Sequence, residues 1–454
     1  MSRKHTRRQF LKLAGGATVA AGLGTASHTA LPRTASAASA KPLAGQTIRC
    51  LLIDTVYTRA IKDYLPEFEA MTGAKVEYDV QAFVIANQRI DLELSGGTGS
   101  YDVVNMTFIW SGKWIGANWA TELTPLINDP GLTDKSVLDL SDFVGLSPFQ
   151  RGNRLYALPY FAEVQLLEYR TDVFQKYNIA KPPDTFDEMI AIANKVHSRE
   201  VAGNLLRGVA ALHFTWPAFL FAYGGAFFAN PPEDMTPLLN SPQAVAATET
   251  YATLHRFYPG SVSMADADTM TAFSQGKAAM WIDGTGVLSA ALDPKRSVVH
   301  DKVSFAQVPA GPAGRKPQMA VHGMQVPAAN KDKRKGWEFI KWAISKDLMA
   351  RISLERGYIP VPRASILAAP EYRKRFTFGN TDLGTLQAEG GAIADKGAYM
   401  SYRTIPEFGP MGDRIVIAMG EVITKQRETK PALDALNRDV ADIMERAGHK
   451  VRKG

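Results

Sequence analysis

From residue 47 onward, apolar and polar positions alternate between two periods. Residues 48–53 form a short apolar run, and 59–71 place Ile61, Tyr64, Leu65, Phe68 and Met71 on one helical face. Residues 75–80, 83–94 and 102–106 then read as strand, helix and strand. Such alternation predicts a parallel sheet covered by helices, with right-handed crossovers. Ligands of these sheets bind beyond the carboxyl ends of the strands, here the loops 54–58 and 107–112.

Helix signals recur farther along. Thr185-Phe186-Asp187-Glu188 has the form of a capping box, and Ser241-Pro242 supplies an N-cap with proline at the first helical position. In Phe273 to Gly284, Met270 and Phe273 share a helix face, Gly276 suits a left-handed stop, and 278–282 reads as a buried strand. The glycines at 96, 97 and 99 precede a strand, so they suit a helix end better than a phosphate loop. Gly276-Lys277 likewise lacks the spacing of a nucleotide loop. No period of 20 to 50 residues indicates a solenoid.

The first forty residues differ from the rest: they hold six basic side chains, no acid, and an apolar run over 13–26. That run is shorter than the roughly 18 residues that span a bilayer. Thr6-Arg7-Arg8-Gln9-Phe10-Leu11-Lys12 resembles the twin-arginine export signal, which implies passage through that translocase and a periplasmic destination. Cleavage is expected after Ala37 or Ala40, with the mature chain starting near Lys41. The net charge of +7 depends on this segment, since the remainder carries 46 basic and 45 acidic residues. Near-neutrality gives no reason to expect nucleic acid or anionic lipid as a partner. Lys331 to Lys335 is a basic run that suits a solvated lead-in to a helix. The single cysteine, Cys50, permits no intramolecular disulfide and suits a buried strand, and the eight histidines show no metal-ligand spacing. No cofactor or metal is expected.

Ordered motifs carry a family resemblance over residues 41–450. They include Phe68-Glu69-Ala70-Met71-Thr72-Gly73-Ala74-Lys75-Val76, Tyr101-Asp102-Val103-Val104, Leu155-Tyr156-Ala157-Leu158-Pro159 and Tyr169-Arg170-Thr171-Asp172. Phe214-Thr215-Trp216-Pro217, Gly224-Gly225, the Phe273-x-x-Gly276-Lys277-Ala278-Ala279-Met280 word, Trp337-Glu338-Phe339 and Gly357-Tyr358-Ile359-Pro360 follow in order. The chain resembles the extracytoplasmic solute-binding proteins of bacterial ATP-driven importers, in the family that includes the maltose-binding protein.

The resemblance implies a two-lobed α/β fold of the periplasmic-binding-protein type (type II) with three crossings, near Pro159, Ile282 and Ala343. One lobe would hold 41–159 and 282–343, the other 160–281 and 344–454. It further implies a monomer that closes around a small molecule and delivers it to a membrane permease. A sugar presents flat C–H faces ringed by hydroxyls, so the cleft should combine aromatic plates with carboxylates and arginines. Asp54 and Tyr57 follow the first strand, and Phe108 and Trp110 the third. The resemblance places a hydroxyl-binding carboxylate at Glu163 and a ligand-contacting position at His213. Trp216, Trp281, Asp283 and Arg403 complete the candidate set. Trp216 before proline suits packing as well as a plate, Trp281 on a buried strand suits the core better, and Asp283 before glycine suits a turn.

Ile109 and Trp110 stand where the family's maltodextrin binders carry a charged pair, and their later aromatic plates align near Gly286 and Gly412. That argues against maltose and leaves a different mono- or oligosaccharide, a polyol or a sugar derivative. A polyamine, metal complex or anion on the same fold is an alternative. An exported carbohydrate-active enzyme is another, although the chain has no His-Glu-x-x-His, Gly-x-Ser-x-Gly or dinucleotide glycine signature.

Overall fold

The computed structural model describes residues 41–208, 211–396 and 402–452. The twin-arginine segment and both cleavage sites lie outside the described residues. Among those described, no helix is long and apolar enough to cross a membrane, and no His, Cys, Asp and Glu cluster is placed to hold a metal.

Seven strands form the main sheet: β1 (Thr47–Ile53), β2 (Lys75–Gln81), β3 (Val103–Thr107), β4 (Leu158–Arg170), β5 (Met280–Gly284), β6 (Val303–Gln307) and β7 (Met319–Gln325). Their order is β6-β4-β7-β3-β1-β2, with β5 on the other edge of β4. β1 runs parallel to β2 and β3, as the alternation predicts, whereas β7 is antiparallel to both β3 and β4.

β4 organises the molecule. Its thirteen residues, LPYFAEVQLLEYR, are nearly all buried, as in a strand covered on both sides, with Glu163, Gln165, Glu168 and Arg170 as buried polar members. Residues 158–164 pair with β7, whereas 165–170 pair with β5 and β6 on opposite edges. The register slips at Gly323 opposite Pro159, where a residue without an N–H can be tolerated in a central strand. A single strand thus serves two sheet regions and changes partners after Val164.

β5 pairs with residues 165–169, alongside the stretch that β6 also pairs with. The partner change comes between β6 and β7. Helix Lys346–Arg356, expected in the second lobe, is tied to helix Val56–Thr72 by Arg351–Glu67 at 2.8 Å and Arg356–Asp63 at 2.6 Å.

Local signals explain the helix ends. Thr55 and Thr58 exchange hydrogen bonds, Thr58 N to Thr55 Oγ1 at 3.1 Å and Thr55 N to Thr58 Oγ1 at 2.9 Å. Helix Val56–Thr72 therefore begins three residues before its apolar period is evident, and it stops at Gly73, whose φ of 77° is left-handed. Tyr57, Ile61, Tyr64 and Phe68 face inward, but Met71 is 59% exposed and off that face. Gly97, at φ 60°, caps helix Phe83–Gly96. Thr185 caps helix Phe186–Val196, although the Glu188 carboxylate takes the Asp184 N–H at 2.7 Å rather than that of Thr185. Ser241 caps helix Pro242–His255. Lys335 in the basic run is an ion-pair partner of Asp102 at 3.0 Å rather than purely solvated. The Cys50 thiol is buried in β1.

Beyond β4, helix Leu212–Ala222 is apolar all round and packs between Pro242–His255 and Phe408–Ile423, which in turn packs on Thr429–Arg446.

Candidate ligand-binding site

Strand alternation puts Phe161 and Glu163 on one face of β4. Across β7 the register sets His322 opposite Phe161 and Ala320 opposite Glu163; on the other edge Gly284 opposes Gln165. A Cβ on Gly284 would lie 2.3 Å from Glu163 Cδ, and one on Gly286 would lie 2.8 Å from Glu163 Oε2 and 2.9 Å from Phe161 Cζ. These two glycines therefore give the carboxylate its space. Gly286 N donates to Glu163 Oε2 at 3.1 Å. Beside it, Asp283 Oδ1 accepts from Gly284 N at 2.8 Å and pairs with Arg207 Nη2 at 3.0 Å.

Two carboxyls thus share one guanidinium. Burial raises Glu163 from its ordinary 4.5 to about 7; Arg207 and the Gly286 N–H oppose the rise, and Asp283 adds to it. Asp283 is likewise raised by burial, against Arg207 and the Gly284 N–H. Burial works against the Arg207 cation, but Asp283 and Glu163 outweigh it and its pKa moves up. Arg207 Nε and the Thr285 hydroxyl are buried without a protein partner, and the Trp281 indole lies beside the Asp283 carboxylate. Orphaned polar atoms of this kind fit a ligand that both donates and accepts hydrogen bonds.

An aromatic wall adjoins them. The His322 ring lies 4.9 Å from Phe161, 6.2 Å from Phe108 and 5.9 Å from Phe83. Burial lowers His322 to about 3, so it is a neutral ring. Phe214 sits between two guanidinium groups, Arg207 at 5.6 Å and Arg403 at 5.0 Å, and Arg403 also covers Phe108 at 5.2 Å. Arg403 donates to the carbonyls of Met319 and Phe214, each at 3.4 Å. His213 meets Phe408 edge-on at 5.3 Å and is lowered to about 3 by burial and then Arg403.

Of the sequence candidates, Phe108, Glu163, His213, Asp283 and Arg403 converge here. Trp110 is half-buried at the margin, stacked on Trp114 at 6.4 Å. Three stand elsewhere, and a fourth, Trp281, reaches Asp283 from within the core. Asp54 faces solvent in an ion pair with Arg59 at 2.6 Å. Tyr57 is buried against Tyr160 and Tyr358, its hydroxyl donating to the Ala343 carbonyl, because the early helix start draws it out of the loop. Trp216 is fully buried and donates to Thr248 Oγ1 at 2.9 Å, and Trp281 is fully buried against Phe273 at 5.3 Å. Arg207, Phe161, Phe214 and His322 were absent from the sequence-derived set. Alternation with Glu163 could have named Phe161; Arg207 lies in a non-periodic stretch, with no such signal.

Residues 54–350 match the profile of the bacterial extracellular solute-binding protein family. The chain belongs to that family. This solute-binding protein is 26% identical over 394 residues to the erythritol/L-threitol-binding protein of Mycolicibacterium smegmatis, covering 80% of this chain and 82% of the relative. It is 26% identical over 391 residues to the mannitol-binding protein of Pseudomonas aeruginosa, covering 80% and 85%. An ABC transporter solute-binding protein from Agrobacterium radiobacter, solved with ribitol, superposes with a TM-score of 0.77 at 25% identity, over 88% of this chain and 99% of that one. The two-lobed α/β architecture is that of these proteins.

Proposed function

We propose that the chain is the exported binding component of an ATP-driven importer, capturing a short linear polyol between its lobes and handing it to a membrane permease. Export by the twin-arginine route, removal of the segment up to Ala37 or Ala40, and action as a periplasmic monomer belong to this reading. The lobes would exchange the chain after Val164, between Gln307 and Met319, and beyond Arg363, whose guanidinium pairs with Asp142 at 3.3 Å.

The observation that carries it is the Glu163–Arg207–Asp283 group with its orphaned atoms. A polyol bears a hydroxyl on each carbon, each able to donate and accept, and needs polar partners around it more than a flat plate. Trp216 and Trp281 are engaged in packing, and Trp110 gives one of its faces to Trp114, so two of the three candidate plates are closed to a ring sugar. The polyols in the names of the relatives agree with this.

The test is a thermal-shift screen against erythritol, ribitol, mannitol, glucose, maltose, amino acids and spermidine, with turnover of glycosides assayed alongside. A ligand bound only by the folded state raises the midpoint. Polyols should raise it most, without turnover. A shift with charged compounds alone would overturn the proposal, and turnover would favour an enzyme.

A further inference from the structure

The loop after β3 passes through Trp110 into the short helix Ser111–Gly116 and meets the segment 402–408. That segment is anchored by Tyr402, stacked on Phe227 at 3.7 Å, and by helix Phe408–Ile423 on Leu212–Ala222. At the meeting point a Cβ on Gly112 would lie 2.3 Å from Thr404 O and 2.6 Å from Ile405 C. Both are backbone atoms, so no rotamer change relieves the clash. Gly112 sits in a right-handed helical turn that any residue can adopt, and glycine is a poor choice there on helix propensity. Its reason is the space between the two segments. Arg151 Nη2 donates to the same Thr404 carbonyl at 3.1 Å, and the Trp110 ring lies 3.8 Å from where a Cβ on Gly409 would sit.

We propose that Gly112 determines closure: its missing β-carbon lets the β3 loop seat on the Thr404–Ile405 backbone, and the residue at this position sets how long a captured ligand is held. The inference rests on the reading of the chain as a closing receptor but not on the ligand's identity. Gly112 belongs to no group assigned to ligand contact. A ligand can leave only when the lobes part, so a residue that destabilises the closed form speeds release and leaves entry into the open form unchanged.

The experiment is stopped-flow binding of ribitol to the wild type, Gly112→Ala and Arg151→Met. Gly112→Ala should raise koff by about tenfold or more with kon within about twofold, and Arg151→Met, which removes the bond to Thr404 along with those to the Pro148 and Gln150 carbonyls and adds no bulk, should show the same split at about threefold. An unchanged koff in both variants overturns the proposal. A wild type indifferent to ribitol would count against the polyol reading alone. Distances between spin labels at Lys62→Cys and Glu249→Cys are therefore also recorded without ligand: loss of the short-distance population in Gly112→Ala supports the latch, and its persistence overturns it.

Discussion

Asp283 and Arg207 form an ion pair at 3.0 Å in which the carboxylate is fully buried and the guanidinium side chain only 14% exposed, with Glu163 competing for the same cation. Removing one member of such a group leaves charge without compensation. Arg207→Met should lower stability by about 3–5 kcal/mol and abolish ligand binding, as measured by urea denaturation and calorimetry. Unaltered stability would show that the pair contributes little.

Glu163 gives the protein a pH dependence. Burial holds its pKa at about 7 against 4.5 in an ordinary setting, so the folded state retains a proton that the unfolded chain releases. Its neutral form is fully accommodated below about 4.5, and stability falls as pH rises through 7, by on the order of 3 kcal/mol. Denaturant midpoints between pH 4.5 and 8 should decline less in Glu163→Gln than in the wild type. Parallel curves would contradict this.

Glu168 stands between Trp281 on β5 and Phe305 on β6, fully buried, with neither carboxyl oxygen hydrogen-bonded. Burial raises its pKa well above the ordinary carboxylate value. An unsatisfied buried polar group costs about 1–3 kcal/mol, and Glu168→Met should recover much of that as a higher melting midpoint. A lower midpoint would reveal a partner for Glu168.

Trp216 separates packing from binding. Trp216→Phe removes the indole donor to Thr248 Oγ1 and should cost about 1 kcal/mol of stability while leaving ligand affinity unchanged. Weakened binding at full stability would return Trp216 to the site.

The parts legible in the sequence are those determined by near neighbours. The β1–β3 alternation and the caps at Thr185 and Ser241 depend on residues within one or two turns, and Gly276, at φ 76°, needs only its own lack of a side chain. Glu163 was found through the family resemblance, and Asp283 because it ends a buried strand at the turn before Gly284. Tyr57 was misplaced because the Thr55–Thr58 exchange starts the helix early and turns the ring inward. Trp216 and Trp281 were candidates because nothing in a sequence separates a tryptophan plate from one packed on a doubly covered segment. Arg207 and His322 reach the site only through pairing with distant segments, in a register no local pattern encodes.

The most direct test is isothermal titration of ribitol into the wild type and Glu163→Ala. Above pH 7, where Glu163 has lost its proton, a hydrogen bond from a ligand hydroxyl to the charged group contributes about 1.5–3 kcal/mol, so affinity there should fall by about 10- to 100-fold while the variant remains folded. Equal affinity in the two proteins would remove Glu163 from the site and contradict capture by the Glu163–Arg207–Asp283 group.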